Sequence, residues 1–133
     1  MVRDLTPLVV QTGSMWWTRR RSLDLLTRDL EAAIGADRVA GGASALHLYS
    51  RDGSIIRGGR AGVVCLPGST EQVAACVRVA RAHGRAFVPR GAGTGLSGGA
   101  VPCDDPVVIS TTRMDRILEV DVDRRIAWVE PGV

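Results

Sequence analysis

The spacing of apolar residues divides the chain into a helical first part and a second part rich in strands. Between residues 22 and 34, aliphatic side chains recur at intervals of three and four, which predicts a helix with one apolar face. These side chains are Leu23, Leu26, Leu30 and Ile34. We expect Ser22 to cap the start of this helix and Gly35 to end it. Residues 1–20 show no clear pattern, and Trp16-Trp17 fits a hydrophobic staple or a loose tail equally well.

Shorter apolar runs follow, separated by residues that are typical of turns. In residues 46–49 a polar residue alternates with apolar neighbours, which predicts a short strand before the turn Asp52-Gly53. Residues 63–66 predict the next strand, which ends at Pro67-Gly68.

The best-defined part of the pattern is a helix between two strands. Ser69 and Gln72 form a capping box, and the helix that follows carries one apolar face and ends at Gly84. Residues 86–88 predict a strand parallel to the preceding one, because a short strand–helix–strand connection crosses over in that sense. Residues 107–110 predict a further strand.

The last two strands are expected to pair with each other. Residues 117–120 and 126–129 are apolar runs joined by a short polar segment, which predicts an antiparallel hairpin. The predicted fold class is therefore α+β: a helix, then a strand–helix–strand unit with parallel strands, then the hairpin. We divide the chain into an N-terminal tail and helix, residues 1–45, and a second domain, residues 46–133.

Composition and charge narrow the functional classes. A length of 133 residues with 45% apolar residues suits one domain with a modest core. The net charge of +3 disappears when Arg19-Arg20-Arg21 is set aside, so no basic face and no nucleic-acid partner are implied. No apolar run approaches the length of a membrane span.

Cysteines and histidines give no sign of a metal centre or a catalytic constellation. Cys65, Cys76 and Cys103 are odd in number and lack zinc-site spacing, so we predict that Cys65 and Cys76 are buried free thiols. This use of cysteine fits a reducing cytoplasm. His47 is expected at a packed or solvent-edge position, and His83 at a helix C-terminus.

One glycine-rich loop carries the candidate chemistry. Residues 91–100 contain five glycines and lie between two strand-like runs, 85–90 and 107–109. Because glycine reaches positive φ without a Cβ clash, such a run can turn successive backbone N–H groups into one hollow. A hollow of that kind binds anions, most often phosphate. A flexible linker is the alternative, although linkers usually lack apolar flanks.

The loop fits neither of the two common nucleotide-binding motifs. Gly93, Gly95 and Gly98 match the dinucleotide fingerprint, but that motif needs a helix, and Pro102 and Pro106 follow instead. A Walker loop needs a lysine on the phosphates, and the chain contains no lysine.

Residues 89–100 resemble the FAD pyrophosphate loop of flavoproteins of the vanillyl-alcohol oxidase/p-cresol methylhydroxylase (PCMH) type. Residues 63–73 upstream and 110–121 and 129–133 downstream resemble that family's neighbouring strands and turns, in the same order. The sequence is most similar to the branch with the glycolate oxidase flavin subunit and the D-lactate and D-2-hydroxyglutarate dehydrogenases. The fold class implied is the N-terminal lobe of a PCMH-type FAD-binding domain.

The resemblance implies a cofactor site of two segments. The predicted cofactor-binding residues are Pro89, Arg90, Gly91, Ala92, Gly93, Thr94, Gly95, Leu96, Ser97, Pro131, Gly132 and Val133. Backbone N–H groups and the hydroxyls of Thr94 and Ser97 would hold the pyrophosphate. Arg90 is expected either to contact phosphate or to form a structural ion pair. Some relatives attach FAD through a histidine near this loop, which has none here, so we expect non-covalent FAD.

The resemblance further implies hydride transfer from a 2-hydroxy acid to the flavin N5. No catalytic and no metal-binding residue is assigned, because the family's catalytic half would follow Val133. We expect this chain alone to be inactive and a second polypeptide to complete the flavoenzyme. The alternatives are a non-catalytic nucleotide- or anion-binding module and a non-functional truncated gene product.

Overall fold

The computed structural model describes residues 12–133, with side chains from Arg19 onward in the first helix. The tail at residues 1–11 and the side chains of Trp16 and Trp17 lie outside the described residues, so the alternatives for that tryptophan pair are not tested.

The first helix, α1, spans Thr12–Ile34. It begins well before Ser22, so the prediction that Ser22 caps its start is wrong. No proline interrupts residues 12–21, and the helix can therefore extend through them without an apolar stripe of its own. The predicted end is confirmed: the Gly35 N–H bonds to the Glu31 carbonyl at 2.9 Å, and Gly35 has a φ of 99°.

Residues 46–48 are helical and Tyr49 is the C-terminal cap of that helix, so the strand predicted there is wrong. Helix α2 spans Ala43–Leu48, after a single 3-10 turn at Ala36–Arg38 and the short strand β1, Val39–Ala40. The alternation that suggested a strand has no structural meaning, because Leu46 is buried whereas Leu48 is 71% exposed.

A four-stranded sheet forms the centre of the molecule. Strands β2 (Val63–Cys65), β3 (Phe87–Arg90) and β4 (Val107–Ser110) run parallel, and β1 joins β2 in antiparallel sense. The predicted parallel strands are confirmed, but β2 and β3 do not pair with each other. The spatial order is β1-β2-β4-β3, so β4 lies between them and β3 forms an edge.

Helix α3, Thr70–Ala82, connects β2 to β3. The Ser69 hydroxyl accepts a hydrogen bond from the Gln72 N–H at 3.3 Å, as predicted. The Gln72 side chain instead accepts the Gly68 N–H at 2.8 Å, so only half of the predicted capping box forms. Gly84 follows the helix with a φ of 62°, which confirms its place at the C-terminal end.

Two clusters of apolar residues cover the two faces of the sheet. The larger one joins α1 and α3 to the strands and contains Leu26, Leu30, Ile34, Val63, Cys65, Cys76, Ala80, Val107 and Ile109. The smaller one, under α2, contains Leu46, Ala61, Val64 and Val108. Helix α1 thus shares a core with the strands, and the boundary proposed between residues 45 and 46 falls within α2.

The predicted hairpin is confirmed as a separate two-stranded antiparallel sheet of β5 (Ile117–Asp121) and β6 (Ile126–Val129). Neither apolar cluster includes any of its residues. Its apolar side chains are exposed, from 44% at Ile126 to 63% at Ile117.

The cysteines are unpaired, with Cys65 and Cys76 buried as predicted and Cys103 exposed. A hydrogen bond that the Cys65 thiol donates to Cys76, together with burial, raises the pKa of Cys65, which keeps it protonated. Among the described helices, none has the length and apolar character to cross a membrane.

Candidate anion-binding site

The glycine-rich loop leaves the sheet at the carboxyl end of β3. This is the edge where ligands usually bind in parallel sheets. Strand β4 ends beside it, because Arg90 is in register with Ser110. The loop continues to Val101, which is buried against the body of the molecule. Residues 91–97 therefore stand at the sheet edge with both ends fixed.

The backbone of the loop has the properties of an anion cradle. None of the N–H groups of residues 91–97 donates a hydrogen bond to any residue between 12 and 133. Gly93 has a φ of 80°, which reverses the direction of successive amides. A Cβ added at Gly91 or Gly95 would meet no atom within 4 Å, so open space faces these positions. Free donors beside open space fit a diphosphate.

The side chains of the loop are almost all turned to solvent. Thr94 and Ser97 are exposed, and Leu96 is 79% exposed. Neither hydroxyl is hydrogen-bonded to another residue in the described part of the chain. Both therefore remain available as donors to a bound anion. Pro89 lies in β3, paired with Ile109.

The Arg90 side chain supports the loop through hydrogen bonds to backbone carbonyls. Its Nη1 donates to the Arg51 carbonyl at 2.6 Å, and its Nη2 donates to the Ala92 carbonyl at 3.2 Å. The guanidinium also lies 4.9 Å from the centre of the Tyr49 ring, a cation–π distance. A Cβ at Gly93 would collide with the same guanidinium, so the glycine there makes room for this arginine. Within the described residues no carboxylate lies within 4 Å of Arg90.

Residues 49–56, which we call the brace segment, pack against the loop. A Cβ at Gly53 would come within 2.9 Å of the Thr94 carbonyl oxygen, and a Cβ at Gly98 would collide with Ile56. Asp52 accepts the Ser54 N–H at 2.9 Å. Hydrogen bonds from Ser54 and from the Ala100 N–H, together with the charge of Arg90, lower the pKa of the Asp52 carboxyl. Asp52 is thus held ionised within the brace segment.

The second predicted segment, Pro131-Gly132-Val133, lies close to the first through one threonine. The Thr111 hydroxyl lies 3.1 Å from the Pro131 carbonyl and 3.4 Å from the Arg90 carbonyl, in hydrogen-bonding geometry with both. The Gly132 N–H bonds to the Met114 carbonyl at 2.8 Å. The structure therefore places both predicted segments against the residues that follow β4.

An ion pair with Arg116 fixes Glu130, the residue before this turn. Arg116 donates from Nε at 3.0 Å and from Nη2 at 2.6 Å to one oxygen of Glu130, and its N–H donates to the other at 3.0 Å. The bonds from Arg116 lower the pKa of the Glu130 carboxyl and raise the pKa of Arg116.

Sequence reasoning missed the brace segment and Thr111. It interpreted Asp52-Gly53 only as a turn, and it gave the polar residues after β4 no role. The available signal was weak: an Asp-Gly pair between an apolar segment and a strand, and a threonine at the carboxyl end of a predicted strand. Neither feature indicates contact with a loop that lies distant in sequence.

The described residues contain no candidate metal centre. No group of three or more His, Cys, Asp and Glu side chains among them could hold a metal ion. His83 caps the end of α3 and lies 2.7 Å from Asp29, an arrangement that joins α3 to α1. His47 is exposed on α2.

Comparison with known proteins identifies relatives of this arrangement. A family model described as FAD binding domain matches residues 61–133, more than half of the chain. The chain is 37% identical over 108 residues to D-2-hydroxyglutarate dehydrogenase of Stutzerimonas stutzeri, which covers 81% of this chain and 23% of that protein. It is 45% identical over 71 residues to D-lactate dehydrogenase of Archaeoglobus fulgidus, covering 53% and 16%. It is 41% identical over 85 residues to glycolate oxidase subunit GlcD of Escherichia coli, covering 64% and 17%.

Solved structures share the fold. 4-ethylphenol oxidase from Gulosibacter chungangensis superposes with a TM-score of 0.75 at 26% identity, over 96% of this chain and 24% of that one. p-Cresol methylhydroxylase gives a TM-score of 0.74 at 21% identity, over the same shares. The likeness confirms the α+β fold class expected from the sequence. The chain spans less than a quarter of the length of the curated relatives it matches.

Proposed function

The chain belongs to the FAD-binding domain family, whose cofactor is FAD, and from that premise we propose that residues 91–97 hold the pyrophosphate of non-covalently bound FAD. The observation that carries this proposal is the set of N–H groups without partners, in a loop where a Cβ at Gly91 or Gly95 would meet open space. A pyrophosphate needs several donors within a short span, and backbone amides supply them without a flexible cation.

The residues around the cradle have separate tasks. Thr94 and Ser97 add hydroxyl donors at the loop surface. Arg90 positions the loop through the Arg51 and Ala92 carbonyls, so its guanidinium acts on the backbone of the cradle. The turn at Pro131-Gly132-Val133 is held against Thr111 and Met114, where it can contact the remainder of the cofactor. Bound FAD supplies the acceptor for a hydride.

We infer that the complete enzyme oxidises a small 2-hydroxy acid. D-2-hydroxyglutarate dehydrogenase, D-lactate dehydrogenase and glycolate oxidase subunit GlcD are the relatives that support this substrate class. Between residues 12 and 133 no group of three or more His, Cys, Asp and Glu side chains could hold a metal ion. We propose that catalytic groups come from polypeptide beyond the matched region, in the same chain or in another.

The hairpin β5–β6 is the surface on which such polypeptide would pack. Leu118 and Val120 are each 60% exposed, and Trp128 is 47% exposed. A two-stranded hairpin is marginal in water unless another layer covers it. We propose that the continuation of the FAD-binding domain covers this hairpin and completes the cofactor site.

The test of the cradle is a valine at Gly95, compared with a valine at Gly99. A Cβ fits the surrounding structure at both positions, because no atom lies within 4 Å of either. Gly95 lies within residues 91–97 and Gly99 lies outside them. The folded chain tolerates a valine at either position, but only the valine at Gly95 lies in the proposed cradle. Gly93 is less suitable, since a side chain there would displace Arg90 whether or not FAD binds.

We expect Gly95→Val to weaken FAD binding at least about tenfold, which corresponds to about 1.4 kcal/mol, and Gly99→Val to leave it unchanged. Binding is measured from the shift in flavin absorbance and the quenching of flavin fluorescence. FAD at a hundred times its dissociation constant should also stabilise the wild type by about 2.7 kcal/mol. Equal binding by both variants, or binding of NAD in preference to FAD, would contradict the proposal.

A second experiment concerns activity. We expect this chain with FAD to give no turnover of glycolate, D-lactate or D-2-hydroxyglutarate, because it spans less than a quarter of the length of the relatives that support this substrate class. Adding the polypeptide that continues the domain should produce flavin-dependent dye reduction. Turnover by the chain alone, in protein shown to be free of host enzymes, would overturn the assignment of catalysis to the missing part.

A further inference from the structure

A second concave surface lies on the other side of the brace segment. It is an open groove of about 540 Å³, bounded by the start of α2 and by the loop that leads into β2. Four basic side chains line it: His47, Arg51, Arg57 and Arg60. Its volume lies in the range that holds a small molecule.

The charge of the groove is uniform. No aspartate or glutamate is among the lining residues. In the part of the chain that the structure describes, Arg51, Arg57 and Arg60 have no carboxylate within 4 Å. Cations gathered in one concave surface without counter-charges raise the local potential and attract anions. The net charge of the sequence does not reveal this local concentration of arginines, because it sums residues that lie far apart.

The wall that carries Arg57 and Arg60 is fixed. The two glycines between them pack closely: a Cβ at Gly58 would collide with Val101, and a Cβ at Gly59 would come within 3.3 Å of the Pro102 carbonyl oxygen. The Gly59 N–H also donates to the Pro102 carbonyl at 2.9 Å. The two arginines are therefore presented from a backbone that is held in place.

The opposite wall is equally ordered. Leu46 is buried beneath α2 and positions His47 at the groove. Arg51 is common to the groove and the FAD loop, because its side chain lines the groove while its carbonyl accepts the Arg90 guanidinium. The groove and the loop are thus adjacent, but they use different atoms of the chain.

We propose that this groove binds a small phosphate-bearing anion at a site separate from the FAD loop. Guanidinium groups bind phosphate oxygens through paired N–H donors, and three of them suit a ligand with at least two negative charges. A nucleic acid is less favoured, because no Phe, Tyr or Trp side chain lines the groove for base stacking and Tyr49 is engaged with Arg90.

Inorganic pyrophosphate is the probe, titrated into the complete chain in the presence of saturating FAD, so that the FAD loop is already occupied, and followed by calorimetry. The test variant is Arg57→Gln/Arg60→Gln. The matched control is Arg78→Gln/Arg81→Gln, which removes the same charge from exposed arginines on α3 that form no ion pair with the described residues. Gly95→Val separates this site from the FAD loop, since it alters only the loop.

We expect saturable binding that weakens at least about tenfold, or about 1.4 kcal/mol, in Arg57→Gln/Arg60→Gln. The control and Gly95→Val should retain it within about twofold. Charge reversal in Arg57→Glu/Arg60→Glu should abolish it. The proposal is overturned by absence of saturable binding, by equal loss in the control, or by loss in Gly95→Val alone. Binding of an oligonucleotide that pyrophosphate does not displace would also overturn it.

Discussion

Strands β4 and β6 are both apolar in sequence but lie in opposite environments. Val107–Ser110 is buried at every position, whereas Ile126–Val129 is exposed at every position. Both runs are strongly apolar, and both form strands as predicted. The difference lies in what covers them: β4 has a strand on each side and helices on its faces, whereas β6 has only β5.

The comparison separates two kinds of information in an apolar run. The run specifies that a strand forms, because apolar side chains favour a pleated surface. It does not specify which layer will cover the strand. In the packed half that layer is α1 with α3, and burial of each large side chain contributes about 1.5–3 kcal/mol. In the hairpin the apolar side chains remain exposed and form a surface on which another layer can pack.

The largest expected effect is on the free energy of unfolding, when one leucine in each region is truncated to alanine. Leu30 in α1 is fully buried, whereas Leu118 in β5 is 60% exposed. We expect Leu30→Ala to reduce the free energy of unfolding by about 2–5 kcal/mol, because it removes contacts and leaves a cavity. Leu118→Ala should change it by less than about 0.5 kcal/mol.

Urea unfolding followed by circular dichroism measures both variants. If Leu30→Ala leaves too little folded protein, Ile109→Val, expected to cost about 0.5–1.5 kcal/mol, replaces it in the comparison. Equal costs in the two regions would show that the hairpin is already covered in solution.

A smaller effect is expected at the N-terminus of α3. Ser69→Ala removes the hydroxyl that accepts the Gln72 N–H and should cost about 1 kcal/mol. Thr70→Ala is the control, since Thr70 is exposed and its hydroxyl has no partner among the described residues. Thermal unfolding distinguishes the two variants, and a cost at Thr70 that matches the cost at Ser69 would contradict the capping assignment.

The smallest effect concerns pH and the turn that follows the hairpin. Because its bonds to Arg116 lower the pKa of Glu130, the stability that this pair contributes is complete above the ordinary pKa of a glutamate. It is lost as the pH falls through the lowered pKa. Glu130→Gln should therefore lower the melting temperature at neutral pH, and its difference from the wild type should vanish in acid.

The control for the pH experiment is Glu119→Gln on β5, an exposed glutamate that forms no ion pair with the described residues. A Glu130→Gln difference that persists unchanged below the pKa of the carboxyl would show that the effect is steric.

The sequence predicted where the strands from β2 onward lie along the chain, the parallel sense of β2 and β3 and the antiparallel hairpin, because most of these predictions rested on local signals. Ser69, Gly84 and the apolar runs act within a few residues of their own position. The start of α1 was missed because helix extension needs no apolar stripe, and α2 was taken for a strand because a run of four residues satisfies more than one period.

The candidate site divides in the same way. The glycine-rich loop was recognisable because its composition is itself the signal. The contacts of Gly53 with the Thr94 carbonyl and of Thr111 with two distant carbonyls depend on the folded arrangement, and no local pattern encodes them. For Arg90 the sequence suggested either a phosphate contact or an ion pair, both with an anionic partner. Its contacts within the chain are two backbone carbonyls and the Tyr49 ring.

The brace segment has a consequence for how the domain is delimited. The family match begins at residue 61, and residues 49–56 lie before it. An expression fragment cut at that boundary would retain every residue of the loop and lose Tyr49, the Arg51 carbonyl, Asp52 and Gly53. The region that the family model matches is therefore shorter than the unit that can hold its own loop in shape.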